Sequence, residues 1–258
     1  MARPVLSIAG MNVSLFQAAA ALNANSRWQE VIAQNLASSS VPGFKKQELC
    51  VAAIQAGLMP ASGLGSSPQA FMIPKASSAV SFQQGEMKYS GNSNDLAIEG
   101  QGFFEIQAPN GSSVFTRDGE FHVSSTGRLV TKQGYPVLGT NGPIQLDPSN
   151  PAPLSVSATG VVTQGAQQLA QLKITEFQNP QLLTQINGAY FRADNPGLVT
   201  QPSTSTVRQG FVEASNVSPL GEMAGMMSAM RGFEAGQHLI QIQDDRMGKA
   251  ISELGNPT

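Results

Sequence analysis

A single cysteine, Cys50, in a chain of 258 residues excludes an internal disulfide framework and a cysteine-rich zinc site. Charge is scarce too. Only 12% of residues are Asp, Glu, Lys or Arg and the net charge is −2, so nothing electrostatic favours nucleic acid or an anionic membrane. The two histidines, His122 and His238, lie far apart, and neither has a cysteine or carboxylate at ligand spacing, so no metal site is expected. No apolar run reaches the roughly 18 residues that a membrane-spanning helix needs. The first ten residues contain an Arg and a Pro and no continuous apolar core, which is not a secretory signal. Work outside the cytoplasm would need a route other than a cleaved signal.

Catalytic patterns are missing as well. Gly100-Gln101-Gly102 resembles half of a phosphate loop but lacks the third glycine, the Walker lysine and a following helix. No Gly-x-Ser-x-Gly elbow occurs. Asp118 and Glu120 would suit acid–base work, but Asp118-Gly119 is better explained as a turn. No catalytic residue, cofactor, metal or small-molecule substrate is expected, and the chain does not read as an enzyme.

What the chain does have is a helical arm at each end. From Ser218 to Leu254 the positions Met223, Met226, Met230, Phe233, Gln237, Ile240, Asp244, Met247, Ile251 and Leu254 alternate steps of three and four, and all but Gln237 and Asp244 are apolar. That is the seam of a helix that packs lengthwise on others. Ser218-Pro219 is a start signal and Gly255-Asn256-Pro257 a stop. A matching seam (Ile8, Met11, Leu15, Ala18, Leu22, Asn25, Gln29, Ile32, Leu36) occupies the first forty residues and should end at Val41-Pro42-Gly43. Gly221, Gly225 and Ala229, with Gly232 and Gly236, place small residues on one face of the C-terminal helix, a pattern for close approach. The two stripes are expected to be buried between copies of the chain. The assembly residues expected are Leu15, Leu22, Ile32, Leu36, Met223, Met226, Met230, Phe233, Ile240, Met247, Ile251 and Leu254.

Between the arms the period changes. Short β-prone runs recur from Val80 to Ala193, punctuated by Asn110-Gly111, Asp118-Gly119 and Thr126-Gly127, each a signal for a tight turn. The chain's 26 Gly and 16 Pro suit such a domain and its linkers. The expected fold class is therefore α+β: N- and C-terminal helices pairing as a coiled-coil-like core domain, with an inserted all-β domain. Residues 1–40 and 216–258 would form the discontinuous helical core, 41–79 and 194–215 connectors (extended or partly β), and 80–193 the β-rich outer domain.

Three blocks resemble the axial proteins of the bacterial flagellar rod and hook. They are Leu22 to Phe44 with Ile32-Ala33-Gln34-Asn35-Leu36-Ala37 and Pro42-Gly43-Phe44; Asn94 to Phe104 with Phe115-Thr116-Arg117-Asp118-Gly119; and Gln209 to Val217 with Glu222-Met223 and Arg231-Gly232-Phe233-Glu234. The short segment after Phe44, together with Gly134-Tyr135-Pro136-Val137-Leu138-Gly139 and Gly142-Pro143-Ile144, is more similar to proximal than to distal rod members. Hook proteins usually carry an extra outer domain. The resemblance implies a helical tube, terminal helices lining its inner core, arms that order on assembly, and export by the flagellum's own type III apparatus. It implies partners that are copies of the chain and other axial proteins, and a place in the periplasmic part of the basal body. Arg27-Trp28 puts a bulky aromatic where the family is usually slimmer. Two alternatives stand beside this reading: a distal rod or hook-type subunit, and, from another class, a soluble β-domain ligand-binding module whose helices close one globular fold. A membrane-surface protein would need a basic helical face that the arms lack.

Overall fold

The computed structural model describes residues 8–59, 69–150, 152–195, 198–201 and 203–255, with side chains for 16–55, 72–150, 152–195, 198–201, 203–249 and 251–252. These contain nineteen strands, one 3-10 turn (Pro180–Leu182) and two long helices, α1 (Ile8–Ala37) and α2 (Pro219–Gly255). The expected stop at Asn256-Pro257 and the side chains of Leu15 and Leu254 lie outside the described residues. The chain divides into two units. One comprises the described parts of Met1–Leu36, Gln47–Ala79 and Pro219–Thr258, the other Ala37–Lys46 and Val80–Ser218.

In the first unit, two long strands, β1 (Gln47–Met59) and β2 (Gln69–Val80), pair in a two-stranded sheet. They share the unit with both helices. The helices run antiparallel: Asn35 meets Glu222, and Cβ atoms added at Gly225, Gly232 and Gly236 would meet Ile32, Asn25 and Leu22 in turn. Falling numbers on α1 against rising numbers on α2 fix the direction. The small residues of α2 let the two backbones approach.

This arrangement corrects the expected fold class. Strands dominate the molecule, and the terminal helices do not make a coiled-coil-like core domain. The physical reason lies in the ambiguity of a three–four alternation, which continues from Met226 as well to Ala229 as to Met230. Met226, Phe233, Ile240 and Met247 are half-buried, as the seam requires. The second row on the covered face is Glu222, Ala229, Gly236 and Gln243, whereas Met223, Met230, Gln237 and Asp244 are exposed. A carboxylate, small residues and an amide stand where a coiled coil needs large knobs. The expectation that both stripes are buried only between copies is corrected with it, because one row of α2 is already partly covered within the chain.

The second unit is built on a six-stranded antiparallel sheet, ordered Thr184–Asn187, Tyr190–Arg192, Ser113–Thr116, Phe103–Gln107, Ile174–Phe177, Thr200–Gln201. Asn110-Gly111 makes the tight turn expected of it, with Gly111 at φ +81. Asp118-Gly119 does not: the strand after it, Phe121–Val123, pairs forward with Leu129–Thr131 and not back with Ser113–Thr116. Gly119 is there for space, since a Cβ would lie 1.6 Å from the Leu96 carbonyl oxygen. One face of the sheet packs Phe104, Ile106, Val114 and Tyr190 into a core with Leu96, Ile98, Leu129, Val137, Ile144 and Val162. Phe103, Phe115, Phe177, Leu183 and Phe191 make a second, mainly aromatic core. Alternation along Phe103-Phe104 and Val114-Phe115 sends successive side chains to opposite faces, as pleating demands. Two short ladders, Thr206–Gln209 on Leu96–Glu99 and Phe211–Glu213 on Met87–Tyr89, tie the segment before α2 back to the start of the unit.

Candidate assembly interface

The outer face of α2 is apolar where it should be polar. Leu220, Met223, Met227 and Met230 are 79, 50, 57 and 52% exposed, and steps of three, four and three put them on one face. Leu239, Ile242 and Ile251 are exposed as well, but at 100° per residue they lie off this row. Scattered exposed hydrophobes are ordinary, but a contiguous row of them marks a contact site. Among the residues singled out in sequence, Met223 and Met230 stand on this row, and Ile251 is exposed on another face of the helix. Met226, Phe233, Ile240 and Met247 are half-buried, as are Leu22 and Leu36, and Ile32 is fully buried. The structure brings Leu22 to Gly236 and Ile32 to Gly225.

Buried polar groups fix how α2 lies on α1. Asn35 is fully buried. Its Nδ2 donates to the Gln47 carbonyl at 2.8 Å and to Glu222 Oε2 at 3.2 Å, while its Oδ1 accepts the Gln47 N–H at 2.9 Å. One amide thereby joins α1, the first residue of β1 and the first turn of α2, where the helix dipole favours the Glu222 carboxylate. Burying such a group is costly unless all its bonds are made, so the clamp specifies a single register. Sequence reasoning quoted Asn35 as part of a motif but missed its role, because it stands off the apolar seam.

In the second unit the three blocks that carry the family resemblance converge. Gly43 has φ +68, and a Cβ there would stand 2.2 Å from the Asp118 amide nitrogen, so the Pro42-Gly43 turn lies flat against Arg117-Asp118. Glu213 is wholly buried between two cations: Lys45 Nζ at 2.6 Å from Oε1 and Arg117 Nη1 at 3.2 Å from Oε2. The Gly85 N–H also donates to Oε1. Lys45 donates further to the Gln83 carbonyl and Arg117 to that of Gly100, with the guanidinium 4.9 Å over the Phe103 ring. Burial pushes both the Lys45 and Arg117 pKa values down, and Glu213 opposes this. Asn216 completes the clasp: it accepts the Lys46 N–H and donates to the Ser81 and Gln83 carbonyls. Lys45, Arg117 and Glu213 are all buried, and the cluster holds residues 43–46 to 213–216.

Asp118 accepts the Glu120 N–H at 3.0 Å in an Asx turn. Burial pushes its carboxyl up to about 6, and neighbouring Glu120 and Asp95 add to the rise. No cluster of three metal-ligating groups occurs among the described residues, and no helix there is long and apolar enough to cross a membrane.

Comparison with known proteins agrees with the convergence of the three blocks. Residues 97–164 match the family described as flagellar hook protein FlgE/F/G D1 domain, and residues 208–253 match flagellar basal body rod FlgEFG protein C-terminal. The flagellar basal-body rod protein FlgF of Caulobacter vibrioides is 34% identical over 229 residues, covering 88% of this chain and 91% of that one. FlgF of Mesorhizobium japonicum is 32% identical, covering 95 and 99%, and FlgG of Borreliella burgdorferi 30% identical, covering 92 and 97%. The clasp residues Lys45, Arg117 and Glu213, the two cores and the apolar outer face of α2 thus occur in a chain related along nearly its whole length to rod proteins. The chain belongs to the flagellar basal-body rod protein family and is a structural subunit of the rod.

Proposed function

We propose that this subunit polymerises helically through its terminal helices, as part of the hollow drive shaft at the proximal end of the rod, with no enzymatic activity. The observation that carries the reading is the exposed row Leu220, Met223, Met227 and Met230 beside a face of α2 already occupied by α1. Covering a methionine or leucine side chain contributes about 1.5–3 kcal/mol, and repetition along a polymer multiplies it. The inner residues Leu22, Ile32, Leu36, Met226, Phe233, Ile240 and Met247 support the pair, and Met223, Met230 and Ile251 meet neighbours. Leu15 and Leu254, whose side chains lie outside the described residues, are proposed for assembly on the sequence pattern alone. The partners are copies of the chain and other rod and hook axial proteins. Delivery is through the flagellar type III apparatus to the periplasmic part of the basal body. The proximal position is supported by residues 134–139 and 142–144, which are similar to proximal members.

Immunogold labelling of isolated basal bodies tests the proposal. Label at the proximal rod is expected. Label at the distal rod or hook would correct the position, and absence of the chain from basal bodies would overturn the rod assignment.

A further inference from the structure

Asparagine followed by glycine occurs three times, at Asn110-Gly111, Asn141-Gly142 and Asn187-Gly188. All three asparagines are exposed, and a Cβ built at any of the three glycines would meet nothing within 4 Å. A main-chain nitrogen next to a glycine Cα is little shielded, and the side-chain amide of the preceding asparagine is the electrophile nearest to it. The three pairs share this intrinsic chemistry, and the fold tells them apart. At Asn110 both reacting groups are occupied. The Gly111 N–H donates to the Ala108 carbonyl at 2.9 Å, and Asn110 Oδ1 accepts the Ser112 N–H at 3.1 Å and the Ser112 hydroxyl at 2.7 Å. At Asn141 the glycine closes a hairpin. Gly142 stands opposite Gly139 across Thr140-Asn141, and such a turn directs the closing N–H at the carbonyl opposite. Asn187 differs. It pairs with Tyr190, so Gly188-Ala189 are the two turn residues, and Gly188 has φ +54. Among the described residues the Gly188 N–H donates to no carbonyl and the Asn187 side chain makes no hydrogen bond. Its strand, Thr184–Asn187, is an edge of the six-stranded sheet, and the register shifts between Gln185 and Asn187. The main chain there can turn toward attack with only one neighbouring strand to hold it.

We propose that Asn187 is a self-modification site, at which the folded chain converts its own asparagine to aspartate and isoaspartate with water as the only reactant. The Gly188 nitrogen gives up its proton and attacks Asn187 Cγ. An N–Cγ bond forms, the Cγ–Nδ2 bond breaks, and the proton lost from Gly188 is returned to the departing group, which leaves as ammonia. The product is a five-membered succinimide. Water opens it at either of its two carbonyls: one opening gives aspartate, the other isoaspartate, in which the main chain runs through Cγ. Nothing is oxidised or reduced. The exposed edge of the sheet then carries a carboxylate where it had a neutral amide.

Timed incubation of the full chain in dilute solution, read out by mass-spectrometric peptide mapping that separates aspartate from isoaspartate, tests the site. Asn110 must first break the bond between Gly111 and Ala108, so it should react about tenfold more slowly than Asn187, the factor that one such bond carries. The product at Asn187 should contain both aspartate and isoaspartate. Its rate should rise from neutral to mildly alkaline solution, because the Gly188 nitrogen must lose its proton. In the chain unfolded by urea, the three asparagines should react at similar rates, since no turn separates them any longer. Equal rates at Asn187 and Asn110 in the folded chain, or aspartate with no isoaspartate, would overturn the assignment. So would the same preference for Asn187 in the unfolded chain, which would make local sequence and not the fold its cause.

Discussion

Lys45 and Glu213, 168 residues apart in sequence, meet at 2.6 Å with neither exposed, and Arg117 shares the same carboxylate. The arrangement gathers residues 43–46, which follow α1, and residues 211–217, which precede α2, onto the Arg117-Asp118 segment. The β-rich unit is therefore held closed where the chain enters and leaves it.

Removing the shared carboxylate should be expensive. Glu213→Gln leaves two buried cations facing a neutral amide, and breaking a buried pair in this way costs about 3–5 kcal/mol. Lys45→Met should cost less, because Arg117 and the Gly85 N–H still satisfy Glu213. Denaturant unfolding of the two variants gives the order; a larger loss for Lys45→Met would show that Glu213 is not the centre of the clasp.

The glycines of α2 should respond unequally to alanine. At Gly225 a Cβ meets Ile32 at 3.4 Å, an ordinary contact, so Gly225→Ala should gain up to about 1 kcal/mol of helix propensity. At Gly236 a Cβ would stand 2.7 Å from Leu22 Cδ2, which forces that side chain to move and offsets the gain. Circular-dichroism melting of the helices should show Gly225→Ala more stable than Gly236→Ala. The reverse order would contradict the register of α1 on α2.

Stability of the β-rich unit should fall as pH rises from about 4 to 6. Asp118 titrates near 6 in the folded chain and near 3.9 unfolded. Its folded form therefore holds the proton more tightly, and that advantage is present at pH 4 and lost above 6. Asp118→Asn keeps the acceptor for the Glu120 N–H and should stabilise the chain at pH 7 by on the order of 2 kcal/mol, with little effect at pH 4. Melting temperatures at the two pH values check it; an equal shift at both would mean that charge is not the cause.

Sequence periodicity reached the two helices and the strand-rich centre because 3.6- and 2-residue repeats record which face is covered. It did not decide which row of α2 is covered, since Met226 leads by three to Ala229 and by four to Met230. The larger side chain looked like the core residue, whereas the close approach of α1 selects the smaller one. Asn35 and Glu213 stand inside recognisable blocks and Lys45 directly follows one, yet polar residues carry no periodic signal. Their partners, at 222, 213 and 117, come from distant parts of the chain. The pairing of β1 with β2 was equally hidden: the strands' mixed Ala, Ser, Gln and apolar residues do not alternate cleanly, so that stretch read as a connector with partial β character.

The claim that the outer face of α2 joins subunits is tested most directly by Met230→Asp. Met230 is exposed in the isolated chain, so the aspartate should leave the melting temperature unchanged, but burying it in a polymer is costly. In cells, the account predicts that the variant is absent from isolated basal bodies and that motility is lost. Normal incorporation of the aspartate variant, with normal motility, would contradict it.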